Sequence, residues 1–162
     1  MFHRLKPDYM VNSLWEIPLN GLKENNIKGI IIDLDNTLTN WNCSKIEDQV
    51  CQWLINLSQE GFKLCVVSNN SKKRINHSLS NLQIPFVPHA FKPGKRAFIK
   101  AMALLDTDNS TTAVIGDQLF TDILGGKRLG LFTILVTPLD KREFIGTKIM
   151  RKVEKVFLSR FL

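Results

Sequence analysis

The residues best suited to chemistry lie in Asp33-Leu34-Asp35-Asn36-Thr37, directly after the apolar run Ile30-Ile31-Ile32. Alternation along an extended segment puts Asp33 and Asp35 on the same side. Two converging carboxylates repel each other unless a cation sits between or beside them. Hard cations such as magnesium favour oxygen ligands and keep part of their water. A carboxylate held by such a cation beside a phosphate monoester can act as a nucleophile. A second carboxyl can protonate the leaving oxygen and then activate water. Asp33 is therefore read as the nucleophile and Asp35 as the general acid/base. The bland alternative is an acidic turn, because Asp-Asn-Thr is ordinary turn chemistry.

Three further segments have the right chemistry to complete such a site. Ser68-Asn69-Asn70 follows another apolar run and offers a hydroxyl and backbone amides for non-bridging phosphate oxygens. Ser68 and Asn69 are thus substrate-binding residues in this reading, with Thr37 beside them. Lys92, in Phe91-Lys92-Pro93-Gly94, would offset the charge of a phosphoryl group crowded by carboxylates and would orient it. Gly116-Asp117 and Asp122 form the fourth segment. Gly116 permits close backbone approach, Asp117 completes a magnesium site, and Asp122 braces that site or holds a metal-bound water. Each segment alone is explained by turns, caps or a helix dipole. Their order along the chain favours a single site.

The intervening elements are those that would bring the segments together. Ile27–Asp33, Phe62–Ser68, Thr112–Gly116 and Leu131–Val136 read as strands, with a shorter one at Ile84–Val87. Apolar residues recur at helical spacing over Lys45–Glu60, Ser71–Leu82, Gly94–Leu105 and Thr121–Leu129. This alternation implies a doubly wound α/β domain, a Rossmann-like and mostly parallel sheet with helices on both faces. In such sheets ligands bind beyond the C-terminal ends of the strands, which is where all four segments lie. The 162 residues are read as one domain, with residues 1–26 as an N-terminal extension and 141–162 as a basic amphipathic C-terminal helix.

Composition narrows the function classes. No run approaches the ~20 apolar residues of a membrane span, and the N-terminus lacks an apolar leader core. The expected location is the cytoplasm, with peripheral contact to the inner face of a membrane. Cys43, Cys51 and Cys65 have no CxxC spacing and are expected to be reduced thiols. His3, His77 and His89 are scattered, so no histidine metal site is expected. The chain carries +7 overall, of which +5 falls in residues 141–162. Such a tail suits an anionic surface, and equally a solvated helix face. No nucleic-acid-binding motif or stacking platform is present, and no nucleic acid is predicted as a partner.

The four segments together resemble the haloacid dehalogenase (HAD) superfamily, in its phosphatase branch, over roughly Ile27 to Thr137. The resemblance implies a DxDxT motif at Asp33, Asp35 and Thr37, then Ser68, Lys92, and an acidic motif at Gly116, Asp117, Thr121 and Asp122. It also implies magnesium held by Asp33, by the backbone carbonyl of Asp35, and by the acidic motif. DLDNTL, VVSNN, FKP and GDQLFTD together are similar to the YqeG-type group of subfamily IIIA. Its eukaryotic relatives dephosphorylate phosphatidylglycerophosphate, which implies a phosphorylated lipid headgroup as the substrate.

Spacing adds an independent constraint. Neither Thr37–Phe62 nor Asn70–Lys92 has room for a cap domain of about 50 residues or more. An uncapped site suits large or membrane-bound substrates. A nucleic-acid end or a phosphoprotein remains as the alternative substrate, and a catalytically silent binding module as the alternative class. A receiver-like signalling module fits poorly, since receivers phosphorylate an aspartate at a later strand than their acidic pair. In the tail, Ile145, Ile149, Val153, Val156 and Phe157 recur at helical spacing among basic residues, as in an interfacial helix or in a helix packed on the sheet.

Overall fold

The computed structural model describes residues 5–140 and 145–159. Its strands are β1 (Tyr9–Val11), β2 (Gly29–Ile32), β3 (Lys63–Val67), β4 (Phe86–Val87), β5 (Thr112–Gly116) and β6 (Phe132–Val136). They form one sheet in the order β1-β6-β5-β2-β3-β4, and every neighbouring pair is parallel. The helices are α1 (Leu19–Glu24), α2 (Asp48–Gln59), α3 (Lys72–Ser78), α4 (Lys95–Leu105), α5 (Leu124–Lys127) and α6 (Ile145–Leu158).

Strand alternation divides the apolar side chains between two layers. Ile30, Ile32, Leu64, Val66 and Ile115 face one way and pack with Leu22 of α1, Leu54 and Leu57 of α2, and Ile75 of α3. Ile31, Cys65, Val67 and Val114 face the other way and pack against Ala97, Phe98, Ala101 and Met102 of α4. The sandwich is the doubly wound α/β fold that the sequence pattern implies. The three cysteines are free, and burial pushes the Cys65 thiol up to about 12.

Several elements differ from their expected form. Residues 5–26 are built into the domain, because β1 adds an edge strand beside β6 with Tyr9 opposite Ile134. Leu14, Ile17 and Leu22 are buried in the core. The helix expected over Ser71–Leu82 stops at Ser78, although Ser71 caps it by accepting the Arg74 N–H at 3.4 Å. The helix expected over Thr121–Leu129 is a π-helical turn, Leu119–Ile123, followed by the single turn of α5.

In the residues described, α6 has one face packed on the core and another exposed to solvent. Phe157 and Leu158 pack on Leu119, Ile123 and Leu135. The Phe157 ring meets Phe120 edge-on at 5.5 Å, and buried Glu154 accepts the Phe120 N–H at 3.2 Å. Met150, Val153 and Val156 face solvent, at 45%, 43% and 59% exposure. The side chains of Ile145, Ile149, Lys141, Arg142, Lys148, Arg151, Lys155 and Arg160 lie outside the described residues, as do Phe161 and Leu162.

The N-terminal segment generates a prediction. Burying Leu14, Ile17 and Leu22 contributes roughly 1.5–3 kcal/mol each, against a total stability of about 5–15 kcal/mol for a domain. A chain starting at Ile27 is expected to lose cooperative thermal unfolding by circular dichroism. A cooperative melt near the full-length temperature would make residues 1–26 dispensable.

Candidate active site

The register of the central strands creates the site. Ile32 at the end of β2 lies opposite Val66 of β3 and Ile115 of β5. The next residues along these three strands bring Asp33, Ser68 and Gly116-Asp117 together at the C-terminal edge. The chain also reverses its direction of winding here. β3 and β4 extend the sheet on one side of β2, and β5, β6 and β1 on the other, which makes this crevice the switch point of the sheet.

One carboxylate oxygen from each of Asp33, Asp117 and Asp122 lies within 4.8 Å of the other two, and all three residues are buried. Asp122 arrives by way of the π-helical turn, a feature common at functional sites. Its Oδ2 accepts the Gln118 N–H at 3.2 Å. The turn presses Asp122 so closely on Gly116 that a Cβ there would lie 2.3 Å from the Asp122 Cγ. Glycine at 116 is thus a requirement of the acidic cluster. The Thr37 hydroxyl sits within hydrogen-bond reach of Asp33 Oδ2 at 3.5 Å and Asp117 Oδ1 at 3.4 Å.

Lys92 enters the same cluster from the loop before α4. Its Nζ donates to Asp33 Oδ1 at 2.5 Å and to Asp122 Oδ1 at 2.6 Å, with the side chain only 4% exposed. The loop is fastened to the Ser68–Asn70 turn. Lys92 N–H donates to Asn69 Oδ1 at 3.0 Å, Ala90 N–H to the Ser68 carbonyl at 3.1 Å, and His89 N–H to the Asn70 carbonyl at 3.0 Å. Asn69 therefore also positions Lys92. Ser68 is buried, and its Oγ accepts the Asn70 N–H at 3.2 Å.

The electrostatics follow from this crowding. Burial holds the Asp33 carboxyl well above the usual carboxylate range; Lys92 opposes that shift, while Asp122 and Asp117 add to it. For Lys92, burial works against the ammonium, but Asp122 and Asp33 outweigh it and raise its pKa above the ordinary lysine value. Three carboxylates and one ammonium leave a formal charge of −2 among these four groups. A hard divalent cation fits that donor set and that charge.

Asp35 stands apart from the trio. β2 ends at Ile32, so strict alternation no longer governs residue 35. Its carboxylate accepts from Arg74 Nη2 at 2.5 Å and from the Asn70 side-chain amide. The Asp35 side chain is therefore outside the acidic trio, and the metal contact that the family resemblance implies for this residue is through its backbone carbonyl. Arg74 and the Asn70 side chain are the site groups that the sequence did not single out. Arg74 follows Lys72 and Lys73, and nothing local separates it from those two. Among the described residues, no group containing histidine or cysteine has metal-ligand geometry.

Two clefts open at this edge of the sheet, one reaching the acidic cluster and one reaching Asp35. One, about 450 Å³, reaches Asp117 and is walled by Met10, Val11, Leu135, Val136, Pro138 and Leu158. The other, about 290 Å³, is polar and includes Asp35.

The likenesses to known proteins agree with this geometry. The model of the family described as mitochondrial PGP phosphatase matches residues 2–139. The chain is 40% identical over 153 residues to the protein named Probable phosphatase YqeG from Bacillus subtilis, covering 94% of this chain and 89% of that one. It is 27% identical over 172 residues to phosphatidylglycerophosphate phosphatase 1, chloroplastic/mitochondrial, from Arabidopsis thaliana. That match covers 96% of this chain and 48% of the relative, so the chain spans about half the plant protein. Among solved structures, a haloacid dehalogenase-like hydrolase from Streptococcus pneumoniae superposes with a TM-score of 0.56 at 14% identity, over 69% of this chain and 85% of that one. The cobalt-bound deoxy-D-mannose-octulosonate 8-phosphate phosphatase from Haemophilus influenzae gives 0.57 at 18% identity, over 70% of each. These two share the fold. Since the matched span of the family model contains the whole acidic edge from Asp33 to Asp122, the chain belongs to the mitochondrial PGP phosphatase family and is a phosphatase on the haloacid dehalogenase fold.

Proposed function

We propose that this phosphatase works through an aspartyl-phosphate on Asp33, with magnesium as its cation and phosphatidylglycerophosphate as its substrate. The observation that carries the reading is the buried trio of Asp33, Asp117 and Asp122 with Lys92 between two of its members. Asp33, Asp117, Asp122 and the Asp35 backbone carbonyl would hold the cation, Asp122 directly or through water. When bound, the cation supplies positive charge that draws the phosphate to the carboxylates and offsets its negative charge.

The protein groups then divide the work. Ser68, Asn69 and Thr37 bind the phosphoryl oxygens, and Lys92 orients them and balances their charge. An Asp33 oxygen forms a bond to phosphorus as the bond to the ester oxygen breaks, and Asp35 gives its proton to that leaving oxygen. Asp35, now ionised, takes a proton from water. The water oxygen attacks phosphorus, inorganic phosphate leaves, and Asp33 is regenerated.

The lipid assignment rests on the name of the plant relative and on features of the site's surroundings. The stretches where a cap would insert, 38–61 and 71–91, hold only α2, α3 and β4, which is too little to cover the edge. Phe91, next to Lys92, is 81% exposed. Met150, Val153 and Val156 form an exposed apolar row on α6, beside exposed Lys152. Such a face suits an anionic bilayer. No helix among the described residues is long and apolar enough to cross a membrane. Action from the cytoplasm at the inner membrane face completes the proposal.

Three predictions test it. Asp33→Asn is expected to lower phosphate release on the order of a thousandfold or more and to abolish acid-stable phosphate on residue 33 by mass spectrometry; release at the parental rate would refute the nucleophile. The second concerns pH. Because the Asp33 pKa is raised in the fold, the metal-free protein has its full Asp33 contribution to stability at acid pH. It loses that contribution as pH climbs from the unfolded carboxylate value through the folded one. Magnesium competes with that proton, so the magnesium-induced rise in Tm should be larger at about pH 8 than at about pH 5. Calorimetry showing no such growth would sink the metal site. Third, Val153→Glu with Val156→Glu should reduce hydrolysis of phosphatidylglycerophosphate in anionic vesicles more than hydrolysis of a soluble monoester. Equal effects on both would remove α6 from membrane docking.

A further inference from the structure

We infer that the cleft on the Asp35 side of the site is a subsite for a second anionic group on the leaving alcohol, with Arg74 as its cation. The inference deepens the proposed function, since it rests on Asp35 protonating the leaving oxygen. That role puts the leaving group in the cleft that Asp35 lines. The cleft measures about 290 Å³, and its other walls include Trp41, Asn42, Asn70, Arg74 and Gln118. They are amides, one aromatic ring and one cation. A plain alkyl group would gain little there, whereas an anion would meet the guanidinium and several amide groups.

Arg74 is built for more than pairing with Asp35. Besides the 2.5 Å bond to Asp35, Nη2 donates to the Cys43 carbonyl at 3.5 Å and Nη1 to Asn42 Oδ1 at 3.3 Å. These contacts fix the plane of the guanidinium from the loop after β2, independently of Asp35. A guanidinium has five N–H donors; the contacts above engage three of them and Nε is buried without a hydrogen bond, which leaves one Nη1 N–H for a ligand. The side chain remains 24% exposed, so part of it opens to the cleft. Planar, oriented guanidinium groups favour phosphate-type anions. Phosphatidylglycerophosphate has such an anion, because its leaving alcohol carries a phosphodiester one glycerol unit away from the monoester.

Two soluble substrates isolate the effect: glycerophosphoglycerol phosphate, which keeps the diester but has no acyl chains, and glycerol monophosphate, which lacks the diester. Wild-type kcat/KM should favour the former by about tenfold or more, the scale of one charge-assisted contact. The ratio should fall toward one in Arg74→Gln and lie between in Arg74→Lys. Both variants will lose some activity on each substrate, since Arg74 also holds Asp35; the ratio is the readout. Glycerophosphoglycerol should also inhibit wild-type hydrolysis of para-nitrophenyl phosphate more strongly than glycerol does. A wild-type ratio near one overturns the subsite whatever the variants do. So does a ratio unchanged in Arg74→Gln, which would limit Arg74 to positioning Asp35. Lipid hydrolysis with a ratio of one removes the subsite and leaves the proposed substrate standing. A high ratio without lipid hydrolysis retains the subsite and removes the lipid.

Discussion

Three carboxylates share a buried pocket with one ammonium at the C-terminal edge of the sheet. Charges taken out of water are costly unless they meet partners of opposite sign. Lys92 meets Asp33 and Asp122, and the remaining charge of the cluster calls for a cation. Burial first, and the neighbouring Asp122 and Asp117 carboxylates after it, raise the Asp33 pKa, and the same gathering of oxygens is a donor set that fits a hard divalent cation. Much of the local architecture serves this arrangement. Gly116 leaves room for Asp122, the π-helical turn delivers it, and the Asn69 side chain holds the Lys92 loop.

The sheet makes such an arrangement sustainable. β2, β3 and β5 are buried on both faces and locked in parallel register. Their ends cannot slip without moving apolar side chains to the wrong layer. The acidic edge therefore sits at the ends of elements that packing holds in place. The edge strand β1 and helix α6 close the flank beyond β6, where Glu154 and Phe157 attach the tail to Phe120, three residues past Asp117. The C-terminal helix is thereby coupled to the loop that carries the acidic motif.

The two clefts divide the surroundings of the site by polarity. Apolar residues from the N-terminal segment, β6 and α6 wall the Asp117 side, and amides with Arg74 wall the Asp35 side. The proposed substrate, with an ionic headgroup and an apolar body, would use both sides of this division. The uncovered edge leaves room for a substrate that stays partly in another phase.

Fold class and the acidic residues at the strand ends are legible from local pattern alone. Strand and helix periodicities in Ile30–Ile32, Leu64–Val67 and Lys95–Leu105 are local properties, and buried parallel strands place their C-terminal residues in a crevice by topology alone. Asp33, Asp35, Ser68, Lys92 and Asp117 were legible because each follows or borders such an element. Only the tertiary structure decided the rest. β1 is too short to show a period, and it becomes a strand because β6 offers an unpaired edge. The π-helical turn in place of a regular helix reflects the approach of Asp122 to Gly116, which helical spacing does not encode. Arg74 gains its role through a contact spanning 39 residues. The tail's division into a packed face and an exposed one depends on where Leu119, Ile123 and Leu135 lie in space. A side chain's partner across the fold is fixed by packing, and packing is a property of the whole chain.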